Sequence, residues 1–257
     1  MRDAQRELLE CLADPANIIR RLGFEPETFQ KEILYSQDRI TLIGAARGSG
    51  KTLALAALAV WFALLQKDDI PVFAPSIRNA GETIRYAREI IQCLPIRPGI
   101  VRENQTLIEL ANGSRIIALP IGDDAQDSFS GARGFHSKSG CILDETAYMS
   151  RDLITSAVLP VIAPHKGARI IAASTPSGMA QGNWFYQTWI SGKARTIHAP
   201  SRMIKHLDQA FLEELGSGMT ENQRRREFDA EFIEAEGAAF RFSDLENLKS
   251  DQEGVML

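Results

Sequence analysis

At 257 residues the chain can bury a large core as one α/β domain, with room for a small appended subdomain. Its 29 Lys and Arg against 33 Asp and Glu give a net charge of −4, which excludes an overall basic field able to hold nucleic acid unaided. Any nucleic-acid contact must come from a local patch or from avidity in an assembly.

Cys11, Cys93 and Cys141 lack metal-like spacing and suit a reducing compartment. The N-terminus is charged and amphipathic rather than signal-like, and the longest apolar run, residues 53–65, is too short to span a bilayer.

In chain order, residues 3–13 read as a helix with Ala4, Leu8, Leu9 and Leu12 on one face. Pro15 and Gly23-Phe24-Glu25-Pro26 punctuate the next stretch. Phe29 and Gln30 come after it, about twenty residues before Lys51. An amide there could pair with a base edge while the ring packs nearby, or the two could sit on a surface helix.

Residues 40–43 are apolar and lead into Gly44-Ala45-Ala46-Arg47-Gly48-Ser49-Gly50-Lys51-Thr52, followed by a long apolar run. This reads as buried strand, Gly-rich loop and helix start. Small residues let successive N–H groups converge on phosphate oxygens, and the helix N-terminus favours an anion. Lys51 would reach the β- and γ-phosphates and the Thr52 hydroxyl would hold Mg²⁺. The fit to G-x-x-x-x-G-K-[ST] is imperfect: Ala45 stands where the first Gly belongs, and Gly44 lies one residue early. The alternative is a Gly-rich turn with a solvated lysine.

Residues 70–75 read as a second buried strand and 78–94 as a helix with Ile84, Ala87, Ile91 and Leu94 inward. Arg78, Arg85 and Arg88 lie off that face, either as a DNA-facing stripe or as a solvated face paired with Glu82 and Glu89. Residues 106–110 and 115–119 flank Asn112-Gly113 and predict a hairpin. The polar stretch 122–138, which contains Arg133, is long for a loop in a compact domain. An apolar strand then ends in Asp144 and Glu145. At the carboxyl end of a parallel strand the first acid can hold Mg²⁺ and the second can orient and deprotonate a water; the pair could also be a plain strand boundary.

Ser150 predicts a helix cap, with the helix running to about 159 and ended by Pro160 and Pro164. Residues 168–176 read as a strand closing on Ser174, Thr175 and Pro176, hydroxyls that could meet a γ-phosphate or serve only as turn residues. Trp184, Phe185, Tyr186 and Trp189 could stack bases but read first as a core-facing helix, and 194–199 as a last strand. Helices are expected over 208–215 and 220–235, the second with Phe228, Phe232 and Ile233 as its apolar face. Arg224, Arg225 and Arg226 are neutralised by Glu227, Asp229 and Glu231, and 241–257 is a weakly patterned tail.

This ordered set resembles the large terminase subunit of tailed bacteriophages. Ala46-Arg47-Gly48-Ser49-Gly50-Lys51-Thr52 is similar to its phosphate loop, a loop that commonly lacks the first Gly, and Gln30 falls where the family has its adenine-recognition glutamine. Residues 72–75 match its next strand and loop. Asp144 and Glu145 match its Mg²⁺ aspartate and catalytic glutamate, and Ser174 and Thr175 its coupling motif. The resemblance implies a RecA/ASCE-like P-loop NTPase, an α/β fold with a central, mostly parallel sheet flanked by helices, plus a small helical linker subdomain. The strand ending at Ser174 would lie between those ending at Ala46 and Asp144. ATP with Mg²⁺ would bind Gln30, the loop residues, Ser174 and Thr175, with Thr52 and Asp144 on the metal. Glu145 would act on the reaction, Arg47 would bridge the phosphates or Glu145, and Arg133 would reach a neighbour's ATP.

The implied function is an ATPase motor that drives double-stranded DNA into a procapsid, with a portal protein and a small terminase subunit as partners. The motor would be a ring, a pentamer on the procapsid and a monomer in isolation, in the cytoplasm of an infected bacterial host and away from membranes. The expected organisation is a core over 1–200, a linker subdomain over 201–240 and a tail over 241–257 directed toward a nuclease domain that this chain does not contain. A helicase-like translocase shares the loop, the Asp-Glu pair and the Ser-Thr-Pro element, but nothing after residue 200 resembles a second RecA-like domain. A non-catalytic nucleotide-binding scaffold is disfavoured by the joint presence of Lys51, Thr52, Asp144 and Glu145.

Overall fold

The computed structural model describes residues 2–122, 135–179 and 182–233. Three helices come first, α1 (Arg2–Ala13), α2 (Ala16–Arg20) and α3 (Thr28–Tyr35). The sheet elements are β1 (Ile40–Ala45), β2 (Asp69–Ala74), β3 (Ile100–Glu103), β4 (Leu107–Leu110), β5 (Arg115–Pro120), β6 (Gly140–Asp144), β7 (Arg169–Ser174) and β8 (Arg195–Ala199). Their spatial order is β3-β4-β5-β2-β6-β7-β1-β8. From β5 to β8 every neighbouring pair is parallel, whereas β3–β4 and β4–β5 are antiparallel. The strand ending at Ser174 therefore lies between β1 and β6, as the resemblance implied.

Parallel strands covered on both faces need continuous apolar runs, and β1, β2, β6 and β7 are buried almost throughout. Helix α4 (Lys51–Leu65) is apolar on all sides and buries Ala54, Ala56, Ala57, Ala59 and Ala63, small residues that let α5 (Ile77–Cys93) and the sheet approach closely. Both helices pack on each other and on the sheet. Among the described residues no helix is long and apolar enough to cross a membrane.

Three expectations need correction. The helix capped by Ser150 is not ended by Pro160: it runs from Arg151 through a π turn, Ile154–Val158, into Leu159–Ile162. In that turn the Leu159 N–H donates to the Ile154 carbonyl, and the wider winding gives the proline ring room that a tight α turn would deny it. The last helix spans Glu221–Glu227 and stops well short of 235. Ala230 turns left-handed at φ 53, His198 on β8 takes up the carbonyls of Asp229 and Ala230, and Phe232 joins Phe185, Tyr186 and Trp189 in an aromatic cluster. Long-range packing of Phe232 outweighs the local helical pattern. Finally, β3 was not expected, because it is an exposed edge strand without an alternating pattern.

Candidate functional site

Strands β1, β6 and β7 all run the same way, so their carboxyl ends deliver the phosphate loop, Asp144-Glu145 and Ser174-Thr175 to one edge of the sheet. Within the loop, Gly48 and Gly50 take φ of 73° and 85°, a backbone that L side chains adopt only with strain. Gly44 has a different task. A Cβ there would come within 3.1 Å of the Trp189 ring, so this glycine serves close packing of β1, and the loop proper begins after Ala45.

Lys51 opens α4 and is almost fully buried. Its Nζ lies 3.1 Å from Glu145 Oε1 and donates to Thr175 Oγ1 at 3.4 Å. The Thr52 hydroxyl donates to Asp144 Oδ2 at 2.9 Å, Thr83 donates to the same oxygen at 3.3 Å, and Asp144 Oδ1 accepts the Glu145 N–H at 3.0 Å. Glu145 is left-handed, with φ 55° and ψ 40°, a conformation costing a non-glycine residue about 1–2 kcal/mol. Its Oε2 accepts from Ser174 Oγ at 3.3 Å, a hydroxyl that also faces the Thr175 carbonyl at 2.9 Å.

Burial pushes the Asp144 carboxyl up to about 6, with the neighbouring Glu145 charge adding to the effect and Lys51 and Thr52 opposing it. A carboxylate held this way is an expensive anion at neutral pH. With a threonine hydroxyl on one of its oxygens, it suits a hard cation of the Mg²⁺ kind, which takes one or two protein carboxylates and completes its shell with phosphate and water. Among the described residues no cluster of three or more His, Cys, Asp or Glu could form an all-protein metal cage.

A cleft of about 310 Å³ opens beside this group, lined by Arg47, Lys51, Pro75, Asn79, Glu145, Tyr148, Thr175 and Glu227. The structure thus brings Lys51, Thr52, Asp144, Glu145, Ser174 and Thr175 together. Arg47 stands at the rim, largely exposed, 3.6 Å from Glu227 rather than on Glu145. Its N–H donates to the Glu227 carbonyl, and the Ala46 N–H to that of Ala199. Ser49 is buried with no hydrogen-bond partner for its hydroxyl. Gln30 is buried on α3, where Oε1 accepts the Glu27 N–H at 2.9 Å and Nε2 donates to the Gly50 carbonyl at 3.0 Å. Arg133 lies outside the described residues.

Sequence reasoning missed Thr83, Asn79, Tyr148 and Glu227. Thr83 carried a signal, a polar residue beside Ala80, Ile84 and Ala87 on the buried face of α5. The other three had none, because they reach the cleft only through the fold.

Residues 42–247 match a family model described as terminase large subunit, T4likevirus-type, N-terminal. The fold is similar to that of the Thermus phage P74-26 large terminase ATPase domain, with a TM-score of 0.69 at 18% identity, covering 83% of this chain and 96% of that one. A large terminase from another thermophilic bacteriophage, in complex with ADP, matches with a TM-score of 0.66 at 13% identity over 81% of this chain and 54% of that one. The HK97 bacteriophage large terminase gives 0.58 at 18% identity over 81% and 51%. The chain therefore spans about half the length of those last two proteins, and at these identities the likeness is one of fold.

Proposed function

Because this chain belongs to the terminase large subunit family, we propose that the cleft beside Lys51 is its ATP site and that hydrolysis there drives double-stranded DNA into a procapsid. The observation that carries this reading is the convergence of Lys51, Thr52, Asp144, Glu145 and Thr175 at one sheet edge, within hydrogen-bonding or ion-pairing distance of one another.

Lys51 contacts the β- and γ-phosphates as a point charge, and the loop N–H groups around it hold their oxygens. Drawing Nζ onto phosphate takes it from Glu145 and frees that carboxylate to face the attacking water. Ser174 then keeps Glu145 aimed through Oε2, while Ser174 and Thr175 report the state of the γ-phosphate. Thr52 and Asp144 would hold Mg²⁺, which would supply positive charge beside the phosphates. Gln30 retains one Nε2 hydrogen and one Oε1 lone pair, the complement that an adenine edge offers. Arg47 acts from the cleft rim. Arg133 is expected to complete a neighbouring subunit's site in a ring, where such a residue is worth about 10³–10⁵ in rate.

In this reading residues 1–200 form the motor core, 201–240 link it onward and 241–257 lead toward a nuclease domain. Its partners are DNA, a portal protein and a small terminase subunit, and its setting is the cytoplasm of an infected bacterium. The test is Lys51→Ala. Loss of nucleotide binding and turnover is expected, and wild-type affinity and rate in a folded variant would remove the site from this loop.

A further inference from the structure

Two carbonyls of the phosphate loop are held from outside the loop, and both holds lead back to one residue. Glu27 is the N-cap of α3, and it is 8% exposed. Its Oε1 accepts the N–H groups of Lys205 at 2.9 Å and His206 at 3.4 Å, and faces His206 Nδ1 at 3.2 Å. The other ring nitrogen, Nε2, lies 3.0 Å from the Gly48 carbonyl. A carbonyl only accepts, so Nε2 carries a proton there. His206 thus stands between a buried carboxylate and the loop, with Nδ1 against Glu27 and Nε2 on the Gly48 carbonyl. The second arm runs through the Glu27 backbone, whose N–H goes to Gln30 Oε1 while Gln30 Nε2 donates to the Gly50 carbonyl.

What these arms fix is the direction of two peptide planes. In a trans peptide the carbonyl of one residue and the N–H of the next point opposite ways. The His206 bond therefore adds to the hold on the Gly48–Ser49 plane, whose N–H donates to the Ala46 carbonyl at 3.3 Å, and the Gln30 bond adds to the hold on the Gly50–Lys51 plane, whose carbonyl also accepts the Ala54 N–H at 3.2 Å. Both glycines sit at positive φ, where an unheld loop has many alternatives and pays the largest entropy to settle into one. Leu207, next to His206, lies 3.7 Å from where a Gly48 Cβ would be, so the 204–207 segment already packs against the loop. The carboxylate that anchors the arrangement is itself costly, since its Oε2 is buried with no hydrogen-bond partner.

We propose that Glu27 and His206 are positioning residues that hold the phosphate loop in its anion-receiving shape. This rests on the reading of that loop as the ATP site. Neither residue touches the reacting atoms. The brace acts on binding of the phosphates in ground and transition state alike, so its loss raises Kd and KM and leaves kcat in place.

The experiment measures ATP and ADP affinity and steady-state turnover for His206→Ala, Glu27→Gln, the double variant and His206→Gln, with Lys51→Ala alongside. His206→Ala should weaken nucleotide binding about fivefold to tenfold, the range set by one lost hydrogen bond and a loosened loop, with kcat within about twofold of wild type. His206→Gln, which can still donate to Gly48, should recover part of the affinity. The double variant should be no weaker than the stronger single, because both residues belong to one chain of contacts.

Unchanged Kd in folded His206→Ala, a fall in kcat at constant Kd, or strictly additive singles would each overturn the brace. If Glu27→Gln fails to fold, His206→Ala still decides, since that side chain is half exposed. The Lys51→Ala control separates the two levels. Intact nucleotide binding in that variant sinks the ATP-site reading, whereas lost binding there with unchanged Kd in His206→Ala sinks only the brace.

Discussion

Asp68 and Asp144 are two buried aspartates, 5% and 2% exposed, at opposite ends of the neighbouring parallel strands β2 and β6. Asp68 precedes β2 and clamps the start of β6. Its oxygens accept the backbone N–H groups of Asp69, Lys138 and Ser139, with the Ser137 hydroxyl beside them. Asp144 ends β6 and has one backbone N–H, from Glu145, and two threonine hydroxyls. Fixed backbone dipoles can do nothing but stabilise an anion. Hydroxyls can turn, and beside Asp144 a second carboxylate pushes the other way. The donors differ: backbone N–H groups of two segments tie Asp68 into the strand starts, whereas Asp144 is met mainly by side-chain hydroxyls at the end of β6.

The largest effect expected at the ligand end is on chemistry. Glu145→Gln should lower turnover by about 10²–10⁴ while nucleotide binding persists, because the amide keeps shape and hydrogen bonds but cannot take a proton. Single-turnover assays at saturating ATP measure it, and a variant hydrolysing like wild type would reduce the acid pair to a strand boundary. At the structural end, Asp68→Ala should cost about 2–4 kcal/mol in denaturant unfolding, since it strands several buried N–H groups. Nucleotide affinity at low denaturant should be unchanged, and a shifted affinity would mean that the two ends communicate.

Asp144→Asn should have the opposite sign. A carboxyl raised from 3.8 to about 6 in the fold contributes stability that is present below pH 4 and lost as pH rises through 6. Above that range the ligand-free protein carries a penalty of about 2–3 kcal/mol, which the amide should remove. The variant should therefore melt later than wild type at pH 8, lose the decline between pH 4 and 6, and fail to show Mg²⁺-dependent nucleotide binding. Equal melting of the two proteins across this range would contradict the account. The smallest expected effect is Thr83→Val, about 1 kcal/mol by thermal unfolding, with Thr83→Ser close to neutral.

Much of the fold was legible because buried parallel strands are written as plain apolar runs and the loop between β1 and α4 is written in small residues. Lys51, Thr52, Asp144, Glu145, Ser174 and Thr175 could be singled out because each stands next to the end of such a run. What failed was local. Pro160 and the segment after Glu227 were read by their neighbours in sequence, whereas a π turn and the Phe232 aromatic cluster decide them. Glu27 and His206 lie 179 residues apart and Thr83 is 61 residues from Asp144, so no spacing rule brings either pair together. The segment containing Arg133 lies outside the described residues, and its assignment rests on resemblance alone.

Strand β8 also has a mechanical consequence. It lies parallel to β1 in a register running from Thr41↔Arg195 to Ala45↔Ala199, and the chain leaves it next to the phosphate loop. A pull arriving through residues 200–233 and resisted at the start of β1 would load that ladder lengthwise, so that its bonds share the strain together rather than parting one after another from an end. The Ala46, Arg47 and Gly48 attachments to Ala199, Glu227 and His206 would pass part of that load into the loop. Tension would thus reach the loop before it could unfasten the sheet.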